Sequence, residues 1–506
     1  MHPKTHQILK TFEEINKIPR CSKHEEKLSI WLQEWGILRG FEVKADALKN
    51  VLIRASATAG YEKSPTIVLQ GHMDMVCQKS KESKHDFSRD PIKCIYDGDW
   101  LRGDGTSIGA DNGIALAIGL VLAEAGKTGE IEHPTIELLF TVDEETGLTG
   151  AAGLEADFFE GKLLLNLDSE DEGVFIAGCA GGQNSQISFP VEWEQFDYEK
   201  EGGSELFRLS VEELEGGHSG VEIHRQRANA IKLLVRALAG MKEKIGEKSF
   251  RLVLINGGSV HNAIPSNAEA FVAVEKGKIG KAEEIVSGIS KFFKAEYAKS
   301  DPELILALKE VETKVLLETA GLKVARKEIP CNRVFSQETE KKLTGLLEAL
   351  PHGVYRMSDT IPGFVETSNN LATVRTTENE VKIVSSQRSS NMLNLAEITK
   401  KIETVAKLAG AHVESEPGYP AWEPDLDSGL LLKCRQVYTE TFGDEPRVEA
   451  VHAGLECGII CSRCMGMEMI SLGPTIKDPH SPSERLFIPS VEKIWIFLEN
   501  LLKSYR

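Results

Sequence analysis

Three apolar, β-branched runs of this chain end in side chains that bind metal ions. TIVLQGHMD brings His72 and Asp74 directly after the first run, TIELLFTVDEE brings Glu144 and Glu145 after the second, and KLLLNLD brings Asp168 after the third. Between the first two lies GDGTSIGADNG, a glycine-rich loop that delivers Asp111 to the start of an apolar helix. Open α/β sheets bind ligands outside the carboxyl ends of their strands. One imidazole gathered there with several carboxylates suits zinc or a similar divalent ion. The pattern predicts a metal-dependent hydrolase.

Each fragment also has a plainer reading. His72-x-Asp74 taken alone is a pair that structural roles explain; the functional reading has His72 on a metal and Asp74 holding its imidazole, since such carboxylates fix the tautomer and raise basicity. Asp111 alone is a good helix N-cap, but a carboxylate also spans two metals about 3.5–4 Å apart. Glu144-Glu145 reads as a solvated acidic turn, or as one ligand beside one general base for an activated water. It is the common order and placement of these fragments that favours the chemistry. Late in the chain, GPTIKDPHSPSE adds His480 in a loop after the apolar run MEMISLG.

The elements that must position these groups follow from periodicity. Helices are predicted over 5–20, 24–39 and 112–125, and strands over 51–55, 66–70, 135–142 and 162–167. Their alternation predicts an α/β fold, with a mixed, largely parallel sheet covered by helices. From about residue 186 the order becomes β-α-β-β-α-β, the ferredoxin-like arrangement, and a second, looser copy follows over 337–415. The Pro-rich EPGYPAWEPD reads as the return linker, before helices at 428–441 and 490–504. The expected organisation is a discontinuous catalytic domain, 1–185 and 421–506, with an inserted α+β domain over 186–420.

Bulk properties narrow the partners. At 506 residues two or more domains are expected. A net charge of −18 argues against nucleic acid and anionic membranes as partners. No run approaches the roughly 18 apolar residues of a membrane span, and the N-terminus has no apolar signal core. The nine cysteines read as reduced thiols of a cytoplasmic protein. Cys457, Cys461 and Cys464 have a spacing that also holds iron–sulfur clusters. Their apolar, helical context instead predicts one buried face.

With GHMDMV, GDGTSIGADNG, TVDEETG, NLDSED and the late His480 in place, the chain resembles the di-zinc superfamily that includes aminoacylases, carboxypeptidases and dipeptidases. CSKHEE, GHSG, QRSS and HAGLECG bring it closest to the dipeptidases. The resemblance implies two divalent metal ions, Zn2+ first and Co2+ or Mn2+ as alternatives. His72 and Asp168 would hold one and Glu145 and His480 the other, with Asp111 between them. It implies Glu144 as general base, Asp74 as the partner of His72, and His218 as an oxyanion donor carried on the inserted domain acting as a lid. Arg388, with Arg375 as rival, would grip the substrate carboxylate, and Asn262 would make a second contact. His452 lies in a substrate-proximal loop without an assigned role. The implied substrates are small dipeptides, of the Xaa-His type and broader, and the resemblance leaves room for a homodimer. An N-acyl amino acid deacylase and a non-catalytic metal-binding relative are the competing readings.

Overall fold

The apolar runs that lead into the candidate ligands form the middle of a sheet. In the computed structural model, which describes residues 2–200, 203–311 and 332–506, strands Ile67–His72 and Ile136–Thr141 are buried at every position. That is the signature of strands covered on both faces. The sheet has eight strands in the order Glu42–Ala45, Val51–Ala55, Ile136–Thr141, Ile67–His72, Leu163–Asn166, Glu468–Ser471, Val174–Cys179 and Arg447–Val451. The four from Ile136–Thr141 to Glu468–Ser471 are parallel, so their carboxyl ends share one edge. Antiparallel pairs on either side make the sheet mixed.

Helix Ala110–Lys127 is apolar on all sides and buried over nearly its whole length. It joins helices Pro3–Ile15 and Ile488–Lys503 in the core over the sheet. Close approach sets the residue before it. Gly109 has φ 66°, and a Cβ there would run into the Arg20 guanidinium and the Met75 sulfur.

Two sets of cysteines behave differently. Cys21 and Cys77 form a disulfide with Cα atoms 5.7 Å apart, which corrects the expectation that every cysteine is a thiol. The cause is local: Cys21 bridges to Met75 and Arg20 O accepts from Met75 N–H, so the two chains run side by side. Cys457 and Cys464, both buried, and Cys461, partly buried, pack with Cys179, Trp422 and Ile460 in an apolar cluster at helix Glu456–Arg463. They are small hydrophobes there, as their context predicted. Cys331 lies outside the described residues. Among the described residues, no helix is long and apolar enough to cross a membrane.

The chain packs as two units, Met1–Cys179 with Pro420–Arg506, and Ala180–Tyr419. The second unit is built on one antiparallel sheet. Its order is Ile305–Glu310, Ser204–Glu212, Ala268–Glu275, Phe250–Gly257, Val365–Thr376, Glu380–Ser389, Gly181–Pro190 and His412–Ser415, with Gly353–Met357 added beside Val365–Thr376. Within the first β-α-β-β-α-β set the spatial order is fourth, first, third, second. The remaining four strands repeat it in mirror order, with Gly181–Pro190 as first strand. The looser copy therefore begins before the copy it was expected to follow. The expected junction at 185/186 falls inside that strand. Helices Ala230–Ile245, Ile279–Glu296, Gln337–Ala349 and Met392–Leu408 supply buried side chains to the core of this unit.

Candidate metal centre

Six side chains converge at the parallel strands' carboxyl ends. His72 closes strand Ile67–His72, Asp168 stands two residues beyond Leu163–Asn166, and Glu144 and Glu145 open the short turn after Ile136–Thr141. Asp111 enters from the first turn of its helix, and His480 from the loop after Glu468–Ser471. His72 Nε2 is 3.0 Å from Asp111 Oδ1 and 3.2 Å from Asp168 Oδ1. His480 Nε2 is 2.9 Å from Asp111 Oδ2 and 3.0 Å from Glu145 Oε2.

This is more than an ion-pair network. Each imidazole nitrogen faces two carboxylate oxygens, and a single N–H serves one of them. Asp168 Oδ1 and Glu145 Oε1 are sealed from solvent without a hydrogen-bond partner, a costly state for an anion's oxygen. Ligand atoms of His72, Asp111 and Glu145 lie within 4.8 Å of one another. Two convergent N,O,O sets that share Asp111 through its two oxygens are a donor arrangement suited to a pair of divalent cations. The residues present fit the implied metals.

The electrostatics carry the same message. Burial opposes a charge on His72, but Asp168, Asp111 and Asp74 outweigh it and hold its pKa well above the usual imidazole value. Hydrogen bonds to Asp111 and Glu145 push His480 up to about 11. Burial resists the ionisation of Asp111, yet His480 and His72 hold it far below the carboxylate range. Without cations, the imidazoles carry the positive charge that the carboxylates demand.

Asp74 has the geometry of an orienting group. Its Oδ1 is 3.3 Å from His72 Nδ1, and its two oxygens accept the backbone N–H groups of Glu144 and Glu145 at 3.0 and 3.2 Å. Burial opposes its charge, but His72 holds its pKa down at about 2. The Glu144 carboxyl is pushed well above the usual range, by burial first and then by the charges of Asp168, Glu456 and Glu145. A carboxyl with raised proton affinity beside the donor sets is suited to proton transfer. A second acidic trio, Glu25, Asp74 and Asp143, is already satisfied. Glu25 accepts from the N–H groups of Lys23 and Asp143, and the hydroxyls of Thr146 and Thr149 occupy Asp143.

Supports absent from the sequence reading hold the Asp111 loop. Glu484 is buried and accepts N–H groups of Ile108, Gly109 and Asp111 at 2.9, 2.9 and 3.2 Å. Arg20 is 2 % exposed and donates to the carbonyls of Met73, Asp74 and Gly109. Asn112 Oδ1 accepts His72 N–H while its Nδ2 donates to Leu167 O, tying two ligand strands together. Asn112 lay within the quoted GADNG, and Glu484 four residues after His480. Nothing in KIPRCSK marked Arg20.

The other predicted residues, His452 apart, lie in the second unit. His218 Nδ1 accepts the N–H groups of Gly220 and Val221, both at 3.2 Å. Its proton therefore resides on Nε2, which is left as a donor. Burial and the nearby Arg388 charge lower its pKa, so the ring stays neutral. Asn262 O accepts Ser219 N–H at 2.8 Å, which sets the Asn262 loop beside His218. Arg388 is 8 % exposed, gives Nη1 to the Tyr419 hydroxyl at 2.5 Å, and has a buried Nε without a partner. Arg375, its rival, spends its Nη groups on the carbonyls of Gly257, Gly258 and Val374. His452 is buried at 5 % exposure in the first unit.

Known proteins resemble this chain over most of its length. The model of peptidase family M20/M25/M40 matches residues 68–504. The chain is 39% identical over 494 residues to the cytosol non-specific dipeptidase of Escherichia coli K12, covering 97% of this chain and 96% of that one. Among solved structures, aminoacylhistidine dipeptidase from Vibrio alginolyticus matches with a TM-score of 0.86 at 38% identity, over 98% of this chain and 96% of the other. A tripeptidase from Staphylococcus aureus shares the fold, with a TM-score of 0.54 at 16% identity, over 99% and 98%.

Proposed function

Because the chain belongs to peptidase family M20/M25/M40, we propose that it is a dipeptidase with a centre of two zinc ions, active on Xaa-His dipeptides and on a broader set. The observation that carries this reading is Asp111, whose two oxygens each face a separate imidazole–carboxylate set while Glu144 stands beside them without a place in either. His72 and Asp168 would hold one cation, Glu145 and His480 the other, and Asp111 both. When bound, the cations supply Lewis acidity toward the scissile carbonyl and lower the proton affinity of the attacking water.

The chain's own residues divide the remaining work. Glu144 takes the proton of the attacking water and passes it to the leaving amine nitrogen. Asp74 fixes the His72 ring and, through two backbone N–H groups, the turn that carries Glu144. His218 Nε2–H is the donor for the developing oxyanion, and the second unit acts as the lid that carries it. Arg388 holds the terminal carboxylate of the dipeptide, whereas Arg375 is committed to backbone, and Asn262 adds a contact beside His218. The relative from Escherichia coli is named for the cytosol, and we assign this chain to the cytoplasm on that basis.

Glu144→Gln tests the reading. The substitution keeps the shape of the site and all five candidate ligands. Losing the base should lower kcat by about 10²–10⁴-fold, with metal content by mass spectrometry equal to the parent. Turnover of alanyl-histidine within a few-fold of the parent would remove Glu144 from the mechanism. A preference for N-acetyl-histidine over alanyl-histidine would move the chain to the deacylases.

A further inference from the structure

A layer of polar side chains lies one step beneath the candidate ligands, and a residue without an assigned role anchors it. Gln70, Thr141 and Asn166 stand two or three residues upstream of His72, Glu144 and Asp168, on three adjacent parallel strands. All three are at most 1 % exposed. Asn166 Nδ2 donates to Gln70 Oε1 at 2.6 Å, and Gln70 Nε2 lies 3.2 Å from Thr141 Oγ1. Two members of this chain of bonds converge on one group. Gln70 Nε2 and Thr141 Oγ1 donate to Glu456 Oε2 at 2.6 and 2.8 Å.

Glu456 is the first residue of helix Glu456–Arg463, within HAGLECG, and is 1 % exposed. Its other oxygen, Oε1, is sealed from solvent without a hydrogen-bond partner. Burying a carboxyl with one oxygen unsatisfied is unfavourable, so packing alone does not account for it. An apolar residue would fill the space without that cost. It would, however, leave the Gln70 amide and the Thr141 hydroxyl without their acceptor, directly behind His72 and Glu144.

We propose that Glu456 is a positioning residue for the metal centre: by accepting from Gln70 and Thr141 it locks the carboxyl ends of the three ligand-bearing strands into register. It touches neither substrate nor reacting atoms. This rests on the reading of the cluster as a two-metal peptidase centre. Misplacing ligands by a fraction of an ångström weakens cation binding and slows the chemical step, while substrate affinity, set by groups such as Arg388, stays.

The test compares Glu456→Ala, Glu456→Gln and Thr141→Val. Zinc affinity is measured by competition with a chromophoric chelator, and kcat and KM with alanyl-histidine. Removing a group that supports metal ligands typically costs about 10- to 100-fold in affinity or activity, and Glu456→Ala should lose that much in zinc affinity and in kcat with KM little changed. Glu456→Gln retains an acceptor oxygen and should recover most of both; Thr141→Val, losing one of the two bonds, should fall between. Parent-like zinc affinity and kcat in Glu456→Ala would overturn the proposal. Equal damage in Glu456→Gln and Glu456→Ala would overturn it too, by assigning the effect to charge. Should Glu456→Ala lack a cooperative melt, the other two variants decide: parent-like affinity in Thr141→Val refutes the brace. Zinc affinity is read without substrate, so a failure of the dipeptidase reading would show separately, as absent turnover in the parent.

Discussion

Arg388→Ala should convert a strict requirement for a free terminal carboxylate into indifference. The guanidinium is 8 % exposed, one Nη is held by the Tyr419 hydroxyl, and Nε is sealed without a partner. The fork is thus oriented from one side and unsatisfied on the other, a state that a bidentate carboxylate completes. Breaking a buried ion pair costs about 3–5 kcal/mol. At 1.36 kcal/mol per tenfold that is roughly 160- to 5,000-fold in kcat/KM. A guanidinium that keeps 8 % exposure is partly screened, so the lower end, about 100-fold or more, is expected. The assay is alanine release from alanyl-histidine and from its C-terminal amide, followed by chromatography. The parent should discriminate strongly between them; Arg388→Ala should lose most activity on the acid, little on the amide, and with it the discrimination. Arg375→Ala is the control, because its guanidinium serves the carbonyls of Gly257, Gly258 and Val374. Its loss should lower stability and leave the acid-to-amide ratio unchanged. A folded Arg388→Ala that keeps the parental ratio, or an Arg375→Ala that loses it, refutes the assignment.

Asp111→Ala should deplete both cations, whereas His72→Ala and His480→Ala should each deplete mainly one; two full metal equivalents in Asp111→Ala by mass spectrometry would exclude a bridging role. In the metal-free protein His72 holds the Asp74 pKa down at about 2, below the ordinary aspartate value of about 3.9. Its contribution is complete above about pH 4 and lost as pH falls through 2, so the stability difference between parent and Asp74→Asn, about 2 kcal/mol at pH 6 in chemical unfolding, should shrink on acidification. The Cys21–Cys77 disulfide closes a loop of 56 residues' separation, for which chain entropy gives about 4 kcal/mol; a dithiol reductant should lower the melting temperature, and a Cys21→Ser/Cys77→Ser variant should be insensitive to it.

The candidate ligand set was legible because most of its members follow an apolar run, and a buried strand has to end somewhere. His72, Asp168 and the Glu144-Glu145 pair are local consequences of strand termination, and Asp111 of a glycine loop feeding a helix. The two-unit order was legible because the periodicity changes near residue 186 and returns near 428. The supports were not. Arg20, Glu456 and Glu484 reach the site from elsewhere in the chain, and no local pattern ties Arg20 to Gly109 or Glu456 to Gln70. Strand Gly181–Pro190 was hidden for a related reason: its partners, Glu380–Ser389 and His412–Ser415, lie some two hundred residues away. The Cys21–Cys77 bond likewise depends on a pairing across 56 residues that composition does not reveal.

Strand Glu468–Ser471 follows Leu163–Asn166 by about 300 residues in the chain, yet it belongs inside the sheet, between Leu163–Asn166 and Val174–Cys179. A nascent chain therefore carries a slot with two inward-facing strand edges until that segment leaves the ribosome. The wait spans about 300 residues, or roughly 15 to 60 s at 5–20 residues per second. Open edges of apolar strands are templates for pairing with other chains. His480 arrives with the same segment, so a stalled or truncated polypeptide has neither a closed sheet nor a complete second set of ligands. Synthesis of one segment, from Glu468 to His480, thus closes the sheet and completes the candidate metal centre together.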